Sequence, residues 1–437
     1  MYTPAPTAGD TSWFTHDRFG MFIHWGLYAL PARHEWVKSR EEIDDERYQR
    51  YFDHFDPDLY DPREWARAAK AAGMKYAVIT AKHHEGFCLW DTKQTDYKAT
   101  NTPAKRDLLK PFVEAFRAEG LRVGFYYSLI DWHHPDFPID IFHPLRNRPD
   151  VAELNKGRDM RRYAAFMREQ VRELLTGYGP IDIIWYDFSY PGRDYNGLPG
   201  KGRDDWESEE LLRLTRELAP RIIVNNRLDL PPEKVDIHTP EQFQPREWVH
   251  VDGKPVVWET CQTFSGSWGY HRDEATWKSP EQLIQMLVNT VATGGNLLMN
   301  VGPTARGTFD DRALSALKVY ADWMRLHGRS IYGCTQSEYK APTDCRFTQT
   351  GPERSRSEGT RLYLHIFAWP FRHIHLDGLA GKVAYAQLLH DGSEVRMLEP
   401  GKHNEWSIAS TAADTLTLEL PVIKPNVTVP VVELFLK

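Results

Sequence analysis

The residues of this 437-residue chain that could do chemistry follow apolar, strand-like segments. The clearest case is Asp187, which ends the apolar run that begins at Ile181. A short run rich in β-branched and aromatic residues predicts a buried parallel strand, and chemistry in α/β folds gathers at the carboxyl ends of such strands. Asp187 could be a nucleophile, a metal ligand or a helix N-cap, although the loop-forming residues after it disfavour the cap. Other polar residues lie toward the carboxyl ends of further strand-like segments: His24, His83, His84, Tyr126, Arg227, Glu241 and Glu259.

Strand-like and helix-like segments alternate through the first three quarters of the chain. Asp61-Pro62 and the capping box Ser279-Pro280-Glu281-Gln282 predict helix starts. Eight strands with helices between them predict a (β/α)₈-like, or TIM, barrel. The alternative, a doubly wound sheet, lacks a glycine-rich phosphate motif after its first strand. The strand candidates are residues 20–26, 76–84, 123–128, 181–188, 221–227, 235–241, 256–261 and 294–303.

After about residue 330 the sequence pattern changes to short strand-like segments joined by turn residues. Leu362, Leu364 and Ile366 alternate with polar neighbours, and Asp391-Gly392 is a hairpin turn signal. Short alternating strands of this kind predict an antiparallel β-sandwich, whereas residues 349–360 predict an exposed polar loop. We therefore expect a catalytic barrel domain over residues 1–335 and a C-terminal β-sandwich domain over residues 336–437.

Composition restricts the partners of the protein. A formal net charge of −7 without long basic runs argues against nucleic acid and anionic membranes. No segment is long and apolar enough to span a membrane, and the first residues lack a signal-peptide pattern. We therefore expect a cytoplasmic protein, or an exported one whose signal peptide is absent from this sequence. The sequence is compatible both with a monomer and with a homo-oligomer.

Two kinds of hydrolytic chemistry fit the polar residues. A metal site would need His-x-His or a similar pattern, but His83 and His84 are adjacent, and alternation turns neighbours to opposite sides of a regular strand. We therefore predict no metal and no cofactor. Glycoside hydrolysis needs two carboxylates, one nucleophilic and one that donates a proton. The 15 Trp, 20 Tyr and 20 Phe would also suit stacking against sugar rings.

Six motifs together resemble the α-L-fucosidases of glycoside hydrolase family 29, and the resemblance spans about residues 13 to 335. That family has a (β/α)₈-like barrel followed by a β-sandwich, which agrees with the fold predicted from the residues. The motifs are Phe22-Ile23-His24-Trp25-Gly26, Lys82-His83-His84-Glu85-Gly86-Phe87, Tyr126-Tyr127-Ser128, Trp185-Tyr186-Asp187, Trp268-Gly269-Tyr270 and Gly294-Gly295-Asn296-Leu297-Leu298-Met299-Asn300-Val301-Gly302-Pro303.

The resemblance implies a retaining exo-α-L-fucosidase that removes terminal α-L-fucose from a fucosylated oligosaccharide or glycoconjugate. Asp187 matches the family nucleophile, which forms a covalent fucosyl-enzyme. Trp268 matches an aromatic position that packs near the sugar, and Arg227 matches a basic residue near the reaction centre. The substrate-binding residues implied in this way are His24, Glu35, Trp36, His83, His84, Tyr126, Arg227 and Trp268.

The acid/base residue is open between two glutamates. Glu241 occupies the matching place, and Glu259 is the alternative; following a sixth and a seventh strand, both could reach the pocket. We expect apolar surroundings to raise the pKa of the acid and basic neighbours to hold the pKa of Asp187 low. The competing functions are a metal-dependent barrel hydrolase and a non-catalytic fucose-binding protein.

Overall fold

The computed structural model describes residues 2–400 and 411–437, and its largest element is a curled parallel sheet. Its seven strands are β1 (Phe19–Ile23), β2 (Tyr76–Lys82), β3 (Arg122–Ser128), β4 (Ile183–Asp187), β5 (Ile223–Val224), β6 (Glu259–Thr263) and β7 (Asn296–Val301). They pair in the order β6-β7-β1-β2-β3-β4-β5, and every pair is parallel. This half-barrel agrees with the α/β barrel class predicted from the sequence.

The prediction of a regular sixth strand over residues 235–241 is wrong. This segment makes only single backbone bridges, from Ile237 to Asn225, from His238 to Trp258 and from Glu241 to Cys261. It nevertheless runs between β5 and β6, the two edges of the curled sheet. Pro240 lacks the N–H group that a ladder requires, which accounts for the irregular pairing.

Two neighbouring strands differ from their predicted bounds. Residues 221–227 form a strand only at Ile223–Val224, and Asn226–Leu228 is a 3₁₀ turn. The strand predicted at residues 256–261 runs instead from Glu259 to Thr263. The apolar residues before Glu259 have the same strand propensity as those after it, so the sequence pattern does not mark the true start.

Helices cover the outer side of the sheet. The capping box at Ser279 is confirmed, since its hydroxyl accepts from the N–H of Gln282, whose side chain accepts in return from the N–H of Ser279. Of the helices in the described residues, none combines the length and apolar character that a membrane span requires. The helices are Ser12–Asp17, Val37–Arg40, Asp45–Asp53, Pro62–Ala71, Leu109–Ala118, Val151–Leu154, Met160–Gly177, Arg203–Trp206, Ser208–Leu218, Pro280–Ala292, Asp311–His327 and Pro352–Glu358.

The strands of the half-barrel bury both faces. Alternate residues such as Phe22, Tyr126 and Trp185 form an apolar cluster inside the curl. Their neighbours, such as Ile23 and Tyr127, pack into the larger core beneath the helices. This two-sided burial explains why the strands read as continuous apolar runs and why polar residues stand out at their ends.

Two antiparallel sheets follow the barrel and share one apolar core. Their strands are β8 (Cys334–Gln336), β9 (Cys345–Thr350), β10 (Arg361–Ile366), β11 (His373–Leu376), β12 (Val383–Leu388), β13 (Arg396–Leu398), β14 (Leu416–Glu419) and β15 (Val431–Leu436). The first sheet has the order β8-β9-β10-β15-β12 and the second β11-β14-β13. The prediction of a loop at residues 349–360 is wrong. This segment holds the end of β9 and the helix Pro352–Glu358, whose first residue is the proline.

A buried ion pair holds the chain that leaves β2 and carries His83. Lys82 is fully buried, and its Nζ lies 3.1 Å from Oδ2 of Asp131 and 3.2 Å from the hydroxyl of Tyr163. The N–H of Trp132 donates to the carbonyl of His84 at 2.8 Å. These contacts join the end of β2 to the loop after β3.

We predict that Asp131→Asn lowers the free energy of unfolding by about 3–5 kcal/mol, because it leaves the Lys82 charge buried without a partner. Urea unfolding followed by tryptophan fluorescence measures the change. The matched control is Asp322→Asn, which breaks an exposed ion pair with Lys318 and should cost less than about 1 kcal/mol. Equal effects of the two substitutions would contradict this prediction.

Candidate active site

A cavity opens where the carboxyl ends of the parallel strands meet. It brings together eight of the residues predicted from the sequence: His24, Trp36, His83, His84, Tyr126, Asp187, Glu241 and Trp268. Four further residues line it that were not among the predicted site residues: Phe22, Trp185, Phe188 and Cys261. Three predicted residues, Glu35, Arg227 and Glu259, lie outside its lining.

Asp187, the last residue of β4, lies in this cavity with only 8% of its surface exposed. Its Oδ2 accepts a hydrogen bond from the hydroxyl of Tyr126 at 2.7 Å, and its Oδ1 lies 3.1 Å from Nη1 of Arg227. Each carboxylate oxygen thus has one donor. These two contacts fix the orientation of the carboxylate in the cavity.

The pKa of Asp187 differs from the sequence expectation. Burial, with a smaller contribution from the nearby Glu241, raises the pKa of Asp187 to about 6 against the opposing effect of Arg227. The expectation of a pKa held low by basic neighbours is therefore wrong. Loss of hydration outweighs one guanidinium because the whole side chain is enclosed.

Arg227 joins two carboxylates. It lies in the 3₁₀ turn after β5, with Nη1 on Asp187 and Nη2 on Oε2 of Glu241 at 3.0 Å. Its guanidinium also lies over the indole of Trp185 at 4.9 Å, and Nε donates to the hydroxyl of Thr239. One rigid, planar group therefore sets the relative positions of the two carboxylates.

Glu241 and Glu259 lie in different environments. Glu241 follows the irregular sixth segment, lines the cavity and has a side chain that is 41% exposed. Glu259 is the first residue of β6, so it lies at the end of the strand away from the cavity mouth, fully buried, and accepts a hydrogen bond from the hydroxyl of Tyr76 at 2.5 Å. Burial raises the pKa of Glu259 to about 8. The expectation that Glu259 follows its strand and could reach the pocket is wrong, because the strand begins three residues later than predicted.

Three histidines share the cavity. His83 and His84 lie beside each other, with ring centroids 4.0 Å apart, and His24 lies 5.6 Å from His83. The expectation that His83 and His84 face opposite sides is wrong. Because β2 ends at Lys82, both residues lie in the turn that follows, where strand alternation no longer applies.

The Nδ1 atoms of two of these rings are held by uncharged groups. Nδ1 of His24 lies 2.6 Å from Oδ1 of Asn300, and Nδ1 of His84 lies 2.7 Å from Oγ of Ser128. Nε2 of His84 lies 4.0 Å from Oδ2 of Asp187. Burial, and then the charge of His83, hold the pKa of His24 and the pKa of His84 well below the ordinary value, so both rings are neutral.

Aromatic rings form the walls. Trp36 contacts His84 and Phe188, with ring centroids 4.9 and 5.4 Å apart, and Trp268 lies 5.2 Å from His24. Glu35 lies behind this wall, and its Oε2 accepts the N–H groups of Trp268 and Gly269 at 3.1 and 2.8 Å. Glu35 thereby fixes the loop that carries Trp268.

The sequence pattern could have identified two of the cavity-lining residues that were not predicted. Phe22 precedes His24 by two residues and Trp185 precedes Asp187 by two, so strand alternation places each on the face of its partner. Phe188 had no such signal, because its backbone takes a φ of 89°, in the left-handed region. In the described part of the chain, no group of three or more His, Cys, Asp or Glu residues is arranged to hold a metal ion.

Comparisons with known proteins point to one family. Residues 5–329 match the family model described as alpha-L-fucosidase. The plasma alpha-L-fucosidase of Rattus norvegicus is 28% identical over 443 residues, which cover 94% of this chain and 87% of the relative.

Two solved structures share the fold along the whole chain. Alpha-L-fucosidase isoenzyme 1 from Paenibacillus thiaminolyticus is 46% identical, with a TM-score of 0.88 and 98% coverage of each chain. A family 29 alpha-L-fucosidase from Bacteroides thetaiotaomicron is 27% identical, with a TM-score of 0.82 and coverage of 100% of this chain and 98% of that one. The latter is described as a trapped covalent intermediate with 2-fluoro-fucosyl fluoride.

We predict that Asp187→Asn changes the pH dependence of stability. Because the folded-state pKa of Asp187 is about 6, above the ordinary value near 4, its contribution to stability is fully present below pH 4 and is lost as the pH rises through 6. Relative to the variant, the wild type should lose roughly 2–3 kcal/mol between pH 4 and pH 7. Urea unfolding at a series of pH values measures this difference, and a constant difference across the range would contradict the assignment.

Proposed function

The chain belongs to the α-L-fucosidase family, glycoside hydrolase family 29, and from that membership we propose that it is a retaining exo-enzyme. It hydrolyses terminal α-L-fucose from a fucosylated oligosaccharide or glycoconjugate by double displacement. The observation that carries this proposal is the pair of carboxylates, Asp187 and Glu241, joined by Arg227 at one cavity. A retaining glycosidase needs two carboxyl groups ~5–5.5 Å apart, and one guanidinium that contacts both supports such a spacing.

Asp187 acts as the nucleophile. In the first step one of its oxygens bonds to the anomeric carbon while the bond to the glycosidic oxygen breaks, which gives a fucosyl-enzyme ester. Water then attacks the same carbon and releases the carboxylate. The donors on Asp187, from Tyr126 and Arg227, orient the attacking group, and the carboxyl is predominantly ionised above its pKa of about 6. The covalent intermediate described for the Bacteroides thetaiotaomicron relative supports this route.

Glu241 acts as the acid and then the base. It donates a proton to the departing glycosidic oxygen in the first step and takes one from water in the second. Its position at the edge of the cavity, with a side chain that is partly exposed, suits a group that faces the leaving sugar or aglycone. Glu259 is fully buried outside the lining of the cavity, so it is not placed to donate a proton to the departing oxygen.

The cavity suits one terminal sugar. Its lining includes Phe22 and Trp185, both at least 98% buried, so the inner end is apolar and closed to a continuing chain. His24, His83, His84 and Tyr126 bind the fucose hydroxyls and ring region, and Trp36 and Trp268 form aromatic walls. Glu35 supports the subsite through the Trp268 loop. We also propose that the catalytic unit covers residues 1–335 and the C-terminal β unit residues 336–437.

Two other functions have less support. A protein that only binds fucose would need the aromatic walls and hydroxyl contacts, but it would not need two carboxylates organised by one arginine. A metal-dependent hydrolase would need a cluster of metal-ligating side chains. The described residues contain no group of three or more His, Cys, Asp or Glu arranged to hold a metal ion. An assay with and without EDTA separates the metal-dependent function from the two-carboxylate function.

We predict that Asp187→Gly and Asp187→Ala lower kcat for 4-nitrophenyl α-L-fucoside by a factor of at least about 10³, because no group remains to attack the anomeric carbon. Azide should restore part of the activity, since a small nucleophile fits the space left by the carboxylate. The release of nitrophenol measures the loss of activity, and the same assay with azide added measures its recovery. Repeating the assay with EDTA tests whether the activity needs a metal. Unimpaired turnover in these variants would remove Asp187 from the nucleophile role.

We predict that Glu241→Gln and Glu259→Gln affect turnover differently. Glu241→Gln should lower kcat/KM by about 10²–10⁴-fold for a fucoside with a poor leaving group, and less for one with a good leaving group, because only the poor one needs a proton. Glu259→Gln is the matched control and should lower kcat/KM only slightly, and by the same factor for both substrates. The reverse pattern would assign the acid/base role to Glu259.

A further inference from the structure

The turn that follows the nucleophile has a strained backbone. Asp187 is the last residue of β4, and the next residue, Phe188, has a φ of 89°. This left-handed region is unfavourable for a bulky side chain, and a residue stays there only when its surroundings hold it. The contacts that hold this turn therefore also bear on the position of Asp187.

On the side of β5, side chains take over from the sheet before the turn begins. The regular pairing of β4 with β5 ends at Ile184 and Val224. Asn225 is fully buried, and its Nδ2 donates to the carbonyl of Tyr186 at 2.9 Å while its Oδ1 accepts the N–H of Tyr186 at 3.0 Å. One amide thus replaces a step of the ladder at the residue that precedes Asp187.

Ser189 makes the corresponding contact on the other side of Asp187. Its hydroxyl donates to the carbonyl of Arg227 at 2.7 Å and accepts a hydrogen bond from Nε1 of Trp206 at 3.0 Å. Trp206 is fully buried, so its indole is a fixed anchor. The hydroxyl hydrogen and an oxygen lone pair of Ser189 are both engaged, which leaves the side chain one orientation.

The contact of Ser189 closes a ring of contacts around the nucleophile. The backbone runs from Asp187 through Phe188 to Ser189, whose hydroxyl holds the carbonyl of Arg227. The guanidinium of Arg227 then returns to Oδ1 of Asp187 at 3.1 Å and also contacts Oε2 of Glu241 at 3.0 Å. An arginine side chain has many rotamers, so fixing its backbone as well as its guanidinium restricts where the carboxylate and the guanidinium can meet.

We propose that Ser189 is a positioning residue: its hydroxyl holds the strained turn after the nucleophile against the backbone of Arg227 and so fixes the approach of Asp187 to the guanidinium. The same contact keeps the ring of Phe188 in the cavity wall, 5.3 Å from that of His84. Ser189 lies outside the cavity lining, so it acts only through these neighbours. The inference rests on the proposed function and adds a residue to it.

Loss of the hydroxyl should affect both orientation and charge. Without Ser189 the turn can relax, so Asp187 keeps its carboxyl but attacks from a less favourable position. Arg227 is also the group that most strongly lowers the pKa of Asp187, so a longer contact would let burial raise that pKa further. The titratable groups that face Asp187 are His83, His84, Tyr126, Arg227, Glu241 and Cys261.

The first test compares variants in the covalent step. Ser189→Ala should lower kcat/KM for 4-nitrophenyl α-L-fucoside, and the rate of labelling by 2-fluoro-fucosyl fluoride, by about 10–100-fold. The acidic limb of the pH profile should move to higher pH by up to about one pH unit. Ser189→Thr keeps the hydroxyl and should recover most of the loss.

The matched control is Ser330→Ala, far along the chain from the site. The hydroxyl of Ser330 is buried and also donates to a carbonyl, that of His327, at 2.7 Å. This variant should lower the urea midpoint about as much as Ser189→Ala, but it should leave kcat/KM and the pH profile unchanged. A wild-type rate and profile in Ser189→Ala would overturn the proposal, as would equal losses in Ser189→Ala and Ser189→Thr.

The second test needs no turnover. The carboxyl carbons of ¹³C-labelled aspartates are titrated by NMR, and Asp187→Asn assigns the signal of Asp187. We expect a pKa of about 6 in the wild type, in Ser189→Thr and in Ser330→Ala, and a higher pKa in Ser189→Ala. If Ser189→Ala did not fold, Ser189→Cys, which supplies only a weak donor, should raise the pKa in the same direction by less.

The titration separates this inference from the function on which it rests. An unchanged titration of Asp187 in the folded Ala variant, or in the Cys variant where Ala does not fold, would overturn the role of Ser189. A wild type that released no fucose from any fucoside would instead count against the proposed function, and the titration would still decide whether Ser189 fixes the contact between Asp187 and Arg227.

Discussion

The site depends on one enclosed carboxylate and the two donors that hold it. Asp187 ends a strand buried on both faces, so it loses most of its hydration, and burial raises its pKa to about 6. Arg227 and Tyr126 offset part of this cost, and Arg227 extends the contact to Glu241. A carboxylate that is costly to ionise and firmly oriented is a more reactive nucleophile than one that is fully hydrated.

The fold provides this arrangement because parallel strands bring residues distant in sequence to one edge. Asp187 ends β4, Arg227 follows β5 and Glu241 ends the irregular segment beside β6. That segment pairs only through single bridges, so its end can place Glu241 at the cavity rim without extending the sheet. On the other side, the ion pair between Lys82 and Asp131 holds the turn that carries the two adjacent histidines.

Much of the site could be predicted from residue type and position at strand ends. Asp187 ends β4, Tyr126 lies near the end of β3 and His24 directly follows β1, and the sequence pattern located all three strands. The predictions failed where the chain departs from regular structure. His83 and His84 share a face because the strand stops before them, and Glu259 lies beneath the cavity because its strand starts later than its apolar neighbours suggest. The pKa of Asp187 could not be predicted, since it depends on enclosure by side chains from several strands.

In the proposed mechanism Asp187 forms a covalent bond to the sugar. The most direct measurement is to incubate the protein with 2-fluoro-fucosyl fluoride, digest it, and locate the added mass by peptide mass spectrometry. We expect one fluorofucosyl group per chain, attached to Asp187 and absent when Asp187 is replaced by Ala. An adduct on another residue would contradict the assignment, and turnover of an aryl fucoside with no adduct at all would contradict the covalent route.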